Sequence, residues 1–126
     1  MQSTRQNKIC RLIQQDMGDI FLRELKSCTW PADNDAALDS LRRSLLTVTE
    51  VRITPDLSIA RVYISIMVIG NGTKEGIMRL IRDNGADLRR RLGMREGKQL
   101  RIIPQLEFYL DDTLDYMENI ERLLKQ

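Results

Sequence analysis

The sequence predicts an α+β fold, a three-stranded sheet with helices packed on one face. Three observations predict it. Residues 46–54 (LTVTEVRIT) and 59–69 (IARVYISIMVI) are rich in β-branched residues and are separated by a short proline-containing turn. Residues 100–110 (LRIIPQLEFYL) have the same character much later in the chain. Around these stretches the apolar residues recur at steps of three and four, the spacing of amphipathic helices. With 126 residues, 42% of them hydrophobic, the chain is the size of one domain, 1–126, with one real core.

Residues 4–26 are expected to form the first helix, with Ile9, Leu12, Ile13, Met17, Ile20, Phe21 and Leu25 on its buried stripe. A loop and a short helix from Asp35 to Arg43 follow, so residues 29–43 read as an insertion. Trp30 in that loop reads as a hydrophobic plug, the alternative being a platform for a stacked base. Pro55 suits the second position of the turn that joins the first two strands. In the second strand Ala60, Val62, Ile64, Ile66 and Val68 point to the core. Arg61, Tyr63, Ser65, Met67 and Ile69 point to an opposite face that is only partly polar. Gly70-Asn71-Gly72 ends the strand, and Thr73 is placed to cap a helix over 74–83 with Ile77, Leu80 and Ile81 inward. Asn84-Gly85 interrupts that helix; Leu88 and Leu92 resume its apolar face until Gly93, which is expected to stop it. In the third strand Leu100, Ile102, Leu106 and Phe108 share a face, and Pro104 places the strand at a sheet edge or a bulge. Asp111, Asp112 and Thr113 are expected to cap a last helix over 113–124, so residues 111–126 form a C-terminal helical tail.

Net charge is only +2, but it is unevenly distributed. Residues 79–101 carry eight basic and three acidic side chains, net +5, and residues 107–126 carry six acidic and two basic ones, net −4. Either these are two solvated faces of opposite sign, or the basic segment meets a polyanion while the acidic tail stays clear of it. Other classes of function find little support. There is no histidine, no glycine-rich phosphate loop and no nucleophile–base pair. Asp111, Asp112 and Asp115 crowd together, but acids in the first turn of a helix answer its dipole without any metal. The chain therefore reads as a non-enzyme with no metal, no cofactor and no small-molecule substrate. Cys10 and Cys28 fit no metal or redox spacing and read as one core and one loop residue. Residues 1–5 hold no signal-peptide core, and no run approaches the ~18–20 apolar residues of a membrane span. A cytoplasmic location without a membrane partner is expected.

The interrupted helix, IRDNGADLRRRLG over 81–93, carries the most specific chemistry. Gly85 can adopt positive φ freely and Asn84 tolerates it, so the pair can turn the chain sharply. The second helix then opens at about Ala86 with free N–H groups, an anion site through geometry and dipole. With Leu88 and Leu92 inward, Arg89, Arg90 and Arg91 are expected to fan out over the solvent side, near Arg82. Guanidinium groups match phosphate oxygens two at a time. A groove for a nucleic-acid backbone and a plain helix corner with solvated arginines are both compatible with this segment alone. Arg5, Lys8 and Arg11 share one polar side at the start of the first helix, where the dipole disfavours cations.

Three stretches resemble the ribosome-binding factor A family of bacterial small-subunit assembly factors. TVTEVRITPDLSIARVYISI (47–66) resembles the family's hairpin. NGADLRRRLG (84–93) resembles its kinked helix pair with an arginine-rich second half. LRIIPQLEFYLDDTLDYMENIERLL (100–124) resembles its final strand, the proline and the tail helix. The first helix fits more loosely, and residues 29–41 stand apart. The family typically kinks at an Ala-x-Gly triplet; here the aligned triplet is Asn84-Gly85-Ala86, with the glycine one place early. The resemblance implies a fold similar to the type-II KH domain, α-β-β-α-kink-α-β with a C-terminal helix. It further implies a monomer that binds 16S rRNA in the 30S subunit, assists late maturation, serves cold adaptation, and catalyses nothing. The RNA-binding residues expected on this reading are Arg82, Asn84, Gly85, Ala86, Arg89, Arg90 and Arg91, with Arg5, Lys8 and Arg11 extending the footprint. The competing expectation is a protein-only interaction or dimerisation module that uses the Tyr63, Met67 and Ile69 face.

Overall fold

A computed structural model of the chain describes residues 4–27, 30, 35–96, 100 and 102–111. The expected tail helix over 113–124 and Cys28 lie outside these residues. Helix α1 spans Thr4–Asp19 and continues as a π-helical turn, Ile20–Glu24, and a 3-10 turn, Leu25–Ser27. The single helix expected over 4–26 is thus corrected in its last two turns, and the reason is phase. In an unbroken α-helix Leu25 would drift ~120° around the axis from Ile13. The wider turn, closed by a bond from Leu25 N–H to Ile20 C=O, reduces that drift, so Ile13, Met17, Ile20, Phe21 and Leu25 are all buried.

Helix α2 (Asp35–Arg43) precedes strands β1 (Leu45–Ile53) and β2 (Ile59–Met67), which pair antiparallel. In the turn between them Leu57 N–H bonds to Thr54 C=O at 2.8 Å, which puts Pro55 at the expected second position. Strand β1 carries a bulge between Val48 and Glu50. The bulge switches the inward parity, so that Leu46 and Val48 before it and Val51 and Ile53 after it all reach the core. Strand β3 (Gln105–Leu110) runs parallel to β2 on its other side, giving the order β1-β2-β3. Its direction follows from the long helical crossover that separates it from β2. The strand is shorter than the expected 100–110, because Pro104 has no N–H for the ladder and stands just before it at the sheet edge. Ile102, expected inward, is exposed for the same reason: it precedes the paired region.

Helices α1, α3 (Lys74–Asp83) and α4 (Gly85–Glu96) bury their apolar faces with Ala60, Val62, Ile64 and Phe108 of the sheet in one hydrophobic cluster. Two glutamines of α1 close the open side of β1: Gln6 Nε2 donates to Ile53 C=O at 3.2 Å, and Gln14 Nε2 to Val48 C=O at 3.3 Å. A sheet edge with satisfied carbonyls is a poor template for a foreign strand. Thr73 caps α3 as expected, its hydroxyl accepting from Gly76 N–H at 3.0 Å. Helix α2 is pinned to the loop before α3: Ser40 Oγ accepts from Gly72 N–H at 2.7 Å and Ser44 Oγ from Ile69 N–H at 2.8 Å. A Cβ on Gly72 would come within 2.7 Å of Ser40 Cβ, so this approach requires glycine.

Candidate nucleic-acid interface at the helix junction

Helices α3 and α4 are separated by Asn84 alone. The break is real, but its mechanism differs from the expected one. Asn84 has φ −110° and ψ 24°, and Gly85 does not adopt positive φ. Asn84 ends α3 by bonding Leu80 C=O with both its backbone N–H, at 3.1 Å, and its side-chain Nδ2, at 2.8 Å. Its own C=O accepts from Leu88 N–H at 3.1 Å and so opens α4. Gly85 and Ala86 therefore lie in the first turn of α4, whose leading N–H groups have no intrahelical acceptor. Gly85 is where the Phe108 ring comes close, 3.7 Å from the place of a Cβ. Gly93, expected to stop the helix, lies inside α4 instead. A Cβ there would be 3.4 Å from Ile103 Cγ1, so the glycine lets the 102–104 strap lie close.

The three consecutive arginines take three directions, which corrects the expectation that all fan into solvent. At ~100° per residue, Arg90 lies nearly opposite Leu88, while Arg89 and Arg91 fall on the two flanks of the core stripe. Arg89 turns towards β3 and donates to the carbonyls of Ile103, at 2.7 Å through Nη2, and Pro104, at 3.3 Å through Nε. Arg91 turns towards the end of α1. It is half-buried and donates to Asp87 at 2.8 Å and Glu24 at 3.0 Å. Arg90 points directly away from the core, 60% exposed, and is paired with Asp87 at 2.7 Å. Arg95, one turn on, donates to Asp19 at 2.6 Å and Glu24 at 2.8 Å.

Asp87 is the hub of this arrangement, and sequence reading missed it. Besides Arg90 and Arg91 it accepts from Trp30 Nε1 at 2.8 Å. Burial pushes its carboxyl up, but the hydrogen bonds from Arg91, Trp30 and Arg90 and the Arg91 charge outweigh that and hold it at about 2. The i to i+3 and i+4 spacing to Arg90 and Arg91 was the available signal; the Glu24 and Trp30 contacts had none. Trp30 is buried, as expected of a plug, so its ring is not a stacking platform.

The basic groups thus divide in two. Arg90, Arg91 and Arg95 are offset by Asp87, Glu24 and Asp19. Arg82 and Arg89 are held by neutral oxygens, Arg82 Nε donating to Phe108 C=O at 3.0 Å, so their hydrogen bonds orient them without cancelling their charge. Both are exposed. Arg5, Lys8 and Arg11 are exposed on α1 and line an open groove of about 1280 Å³ with Ile9, Leu12, Leu57 and Pro104. Pro104 contributes to that groove while its carbonyl accepts from Arg89, so the two basic groups flank the same strap.

On the open sheet face Tyr63 and Tyr109 stack with centroids 5.5 Å apart, and Arg52 lies over Tyr63 at 5.8 Å. Arg52 and Arg61 are paired with Glu50 and Glu107. Leu45 and Met67, register partners at one end of the face, are exposed. Among the described residues there is no cluster of three potential metal ligands and no helix long and apolar enough to cross a membrane.

The family model described as Ribosome-binding factor A matches residues 5–124. A relative named ribosome-binding factor A from Cytophaga hutchinsonii is 38% identical, with 100% of this chain and 84% of the relative covered. One from Prosthecochloris aestuarii is 37% identical, with 98% and 89% covered. The crystal structure of ribosome-binding factor A from Thermus thermophilus superposes with TM-score 0.57 at 21% identity, covering 83% of this chain and 94% of that one. A homology model of the Thermus thermophilus factor, fitted into a cryo-EM map of its complex with the 30S subunit, superposes with TM-score 0.54 at 20% identity, covering 81% and 90%. These two likenesses agree with the KH-like α+β architecture. With its sequence matched almost end to end, this chain belongs to the ribosome-binding factor A family.

Proposed function

We propose that this protein binds the 30S ribosomal subunit through 16S rRNA, assists its late maturation, and acts as a monomer in the cytoplasm without catalysis. The observation that carries the RNA interface is the pair Arg82 and Arg89. Both are oriented by backbone carbonyls, both retain their charge, and both flank the opening turn of α4. A phosphate at that turn meets the Gly85 and Ala86 N–H groups, the positive end of the α4 dipole and two fixed guanidinium groups. Arg90 adds an exposed donor that can exchange Asp87 for phosphate at little cost, since exposed pairs contribute about 0–1 kcal/mol. Arg5, Lys8 and Arg11 extend the path along the groove. Arg91 belongs to the scaffold, and Asn84 acts by ending α3. Support for the partner comes from family membership and from the 30S complex of the Thermus thermophilus relative.

The test is co-migration of the purified protein with 30S particles, and not with 70S, in density gradients at increasing salt. Binding that falls by about 0.7–0.9 log units per log unit of salt for each phosphate engaged supports the reading. Absence of 30S association at low salt overturns it. The exposed Leu45 and Met67 favour a second reading, a protein contact on the open sheet face. A salt-insensitive dimer with no affinity for subunits would favour it.

A further inference from the structure

Among the described residues, two buried side-chain oxygens lack any hydrogen-bond donor, Asp16 Oδ2 and Glu96 Oε2. Both belong to carboxyl groups, and the two meet where α1 contacts the last turn of α4. Glu96 is 5% exposed. It also sits at the carbonyl end of its helix, where the dipole opposes negative charge. Two ionised carboxylates facing each other with desolvated oxygens repel. A single proton removes the conflict, because a neutral Glu96 can donate to the Asp16 carboxylate. Two carboxylates alone are a thin ligand set for a divalent cation, which asks for about six oxygens.

We propose that a proton held by Glu96 and donated to Asp16 clasps α1 to the end of α4, and that its loss with rising pH loosens the seat of α4. Among the described residues the charges that bear on Glu96 are Asp16 from α1 and Arg95 from α4. Arg95 is already committed to Asp19 and Glu24. The Asp16 hydrogen bond, burial and the Asp16 charge raise the Glu96 carboxyl from 4.5 to about 7, against the opposing pull of Arg95. A carboxyl raised on folding stabilises fully below its ordinary value, and the stabilisation disappears as pH rises through the folded value. The clasp is therefore closed at mildly acidic pH and opens across neutrality. Because α4 carries Arg89 and Arg90, its opening would also reach the RNA surface; that consequence, unlike the clasp, rests on the proposed function.

The experiment is urea unfolding of the full chain from pH 5.5 to 8.5, for the wild type and Glu96→Gln. The wild-type folding constant should fall about tenfold between pH 6 and pH 8. The amide that Glu96→Gln introduces donates to Asp16 at every pH, so the variant should lose that fall while remaining folded. A flat wild-type profile, or the same fall in the variant, overturns the clasp. So does a fall that millimolar Mg²⁺ abolishes, because a cation would then hold the pair. Should the variant fail to fold, carboxyl ¹³C titration of wild-type Glu96 decides, with a midpoint near neutrality expected and one in the ordinary glutamate range contradicting.

Discussion

Replacing Asp87 by Asn removes the charged acceptor shared by Trp30, Arg90 and Arg91 without changing the size of the side chain. Arg91 is then left half-buried with Glu24 as its one carboxylate, and the Asn amide turns a donor towards donors. Asp87→Asn should cost about 1–3 kcal/mol in urea unfolding. Arg91→Ala should cost a similar amount, whereas Arg90→Ala should change stability by less than about 0.5 kcal/mol. Equal effects of the two arginine variants would contradict the division between a structural and a solvent-facing arginine. Asp87 and Glu96 also set opposite limits on pH. A carboxyl depressed on folding stabilises above its ordinary value, and that contribution goes as pH falls through the folded one, from 3.8 towards about 2 for Asp87. Glu96 contributes below its ordinary value and loses its contribution through about 7. Stability measured against pH should therefore peak at about pH 4–4.5, between the two ordinary values, and decline on both sides.

At the scale of elements, the helix junction separates what pattern can tell from what it cannot. The ends of α2 and α3 and the Thr73 cap were legible, because capping residues, glycines and apolar spacing act locally. The interruption at Asn84 was legible too, but its cause was misassigned: Asn84 ends α3 with its own side chain, and Gly85 is helical. Gly85→Ala should consequently be tolerated and raise stability by about 0.5–1 kcal/mol, since Phe108 leaves room at 3.7 Å. A clear loss of stability would mean that the junction does require glycine. Arg89 and Arg91 were misplaced because helical phase puts them only ~60° from the core stripe, where neighbouring elements decide their partners. The π turn of α1 and the β1 bulge were equally invisible, since each re-phases a pattern that reads as regular. Trp30 links the insertion to this junction. Trp30→Phe keeps the plug but loses the bond to Asp87, and should cost about 1.5–3 kcal/mol in urea unfolding.

Across the whole molecule, near-neutral net charge hides a sorted surface. The carboxylates of α1 and its terminal turns neutralise the far side of α4, and Arg82 and Arg89 beside β3 pair with no carboxylate among the described residues. Composition located the basic segment, but which of its charges stay free depended on Asp19 and Glu24, about seventy residues away in the chain. Fold class, strand order of appearance and family were legible because hairpin, junction and final strand are written in contiguous stretches. The contacts that sort the charges are long-range and carry no local signature. The most direct measurement is therefore co-sedimentation with 30S subunits at moderate salt, comparing the wild type with Arg82→Gln/Arg89→Gln and checking both for an unchanged thermal unfolding midpoint. The double variant should stay folded, lose most of its 30S association and show a shallower salt dependence; association equal to that of the wild type would contradict the assignment of Arg82 and Arg89 to the RNA contact.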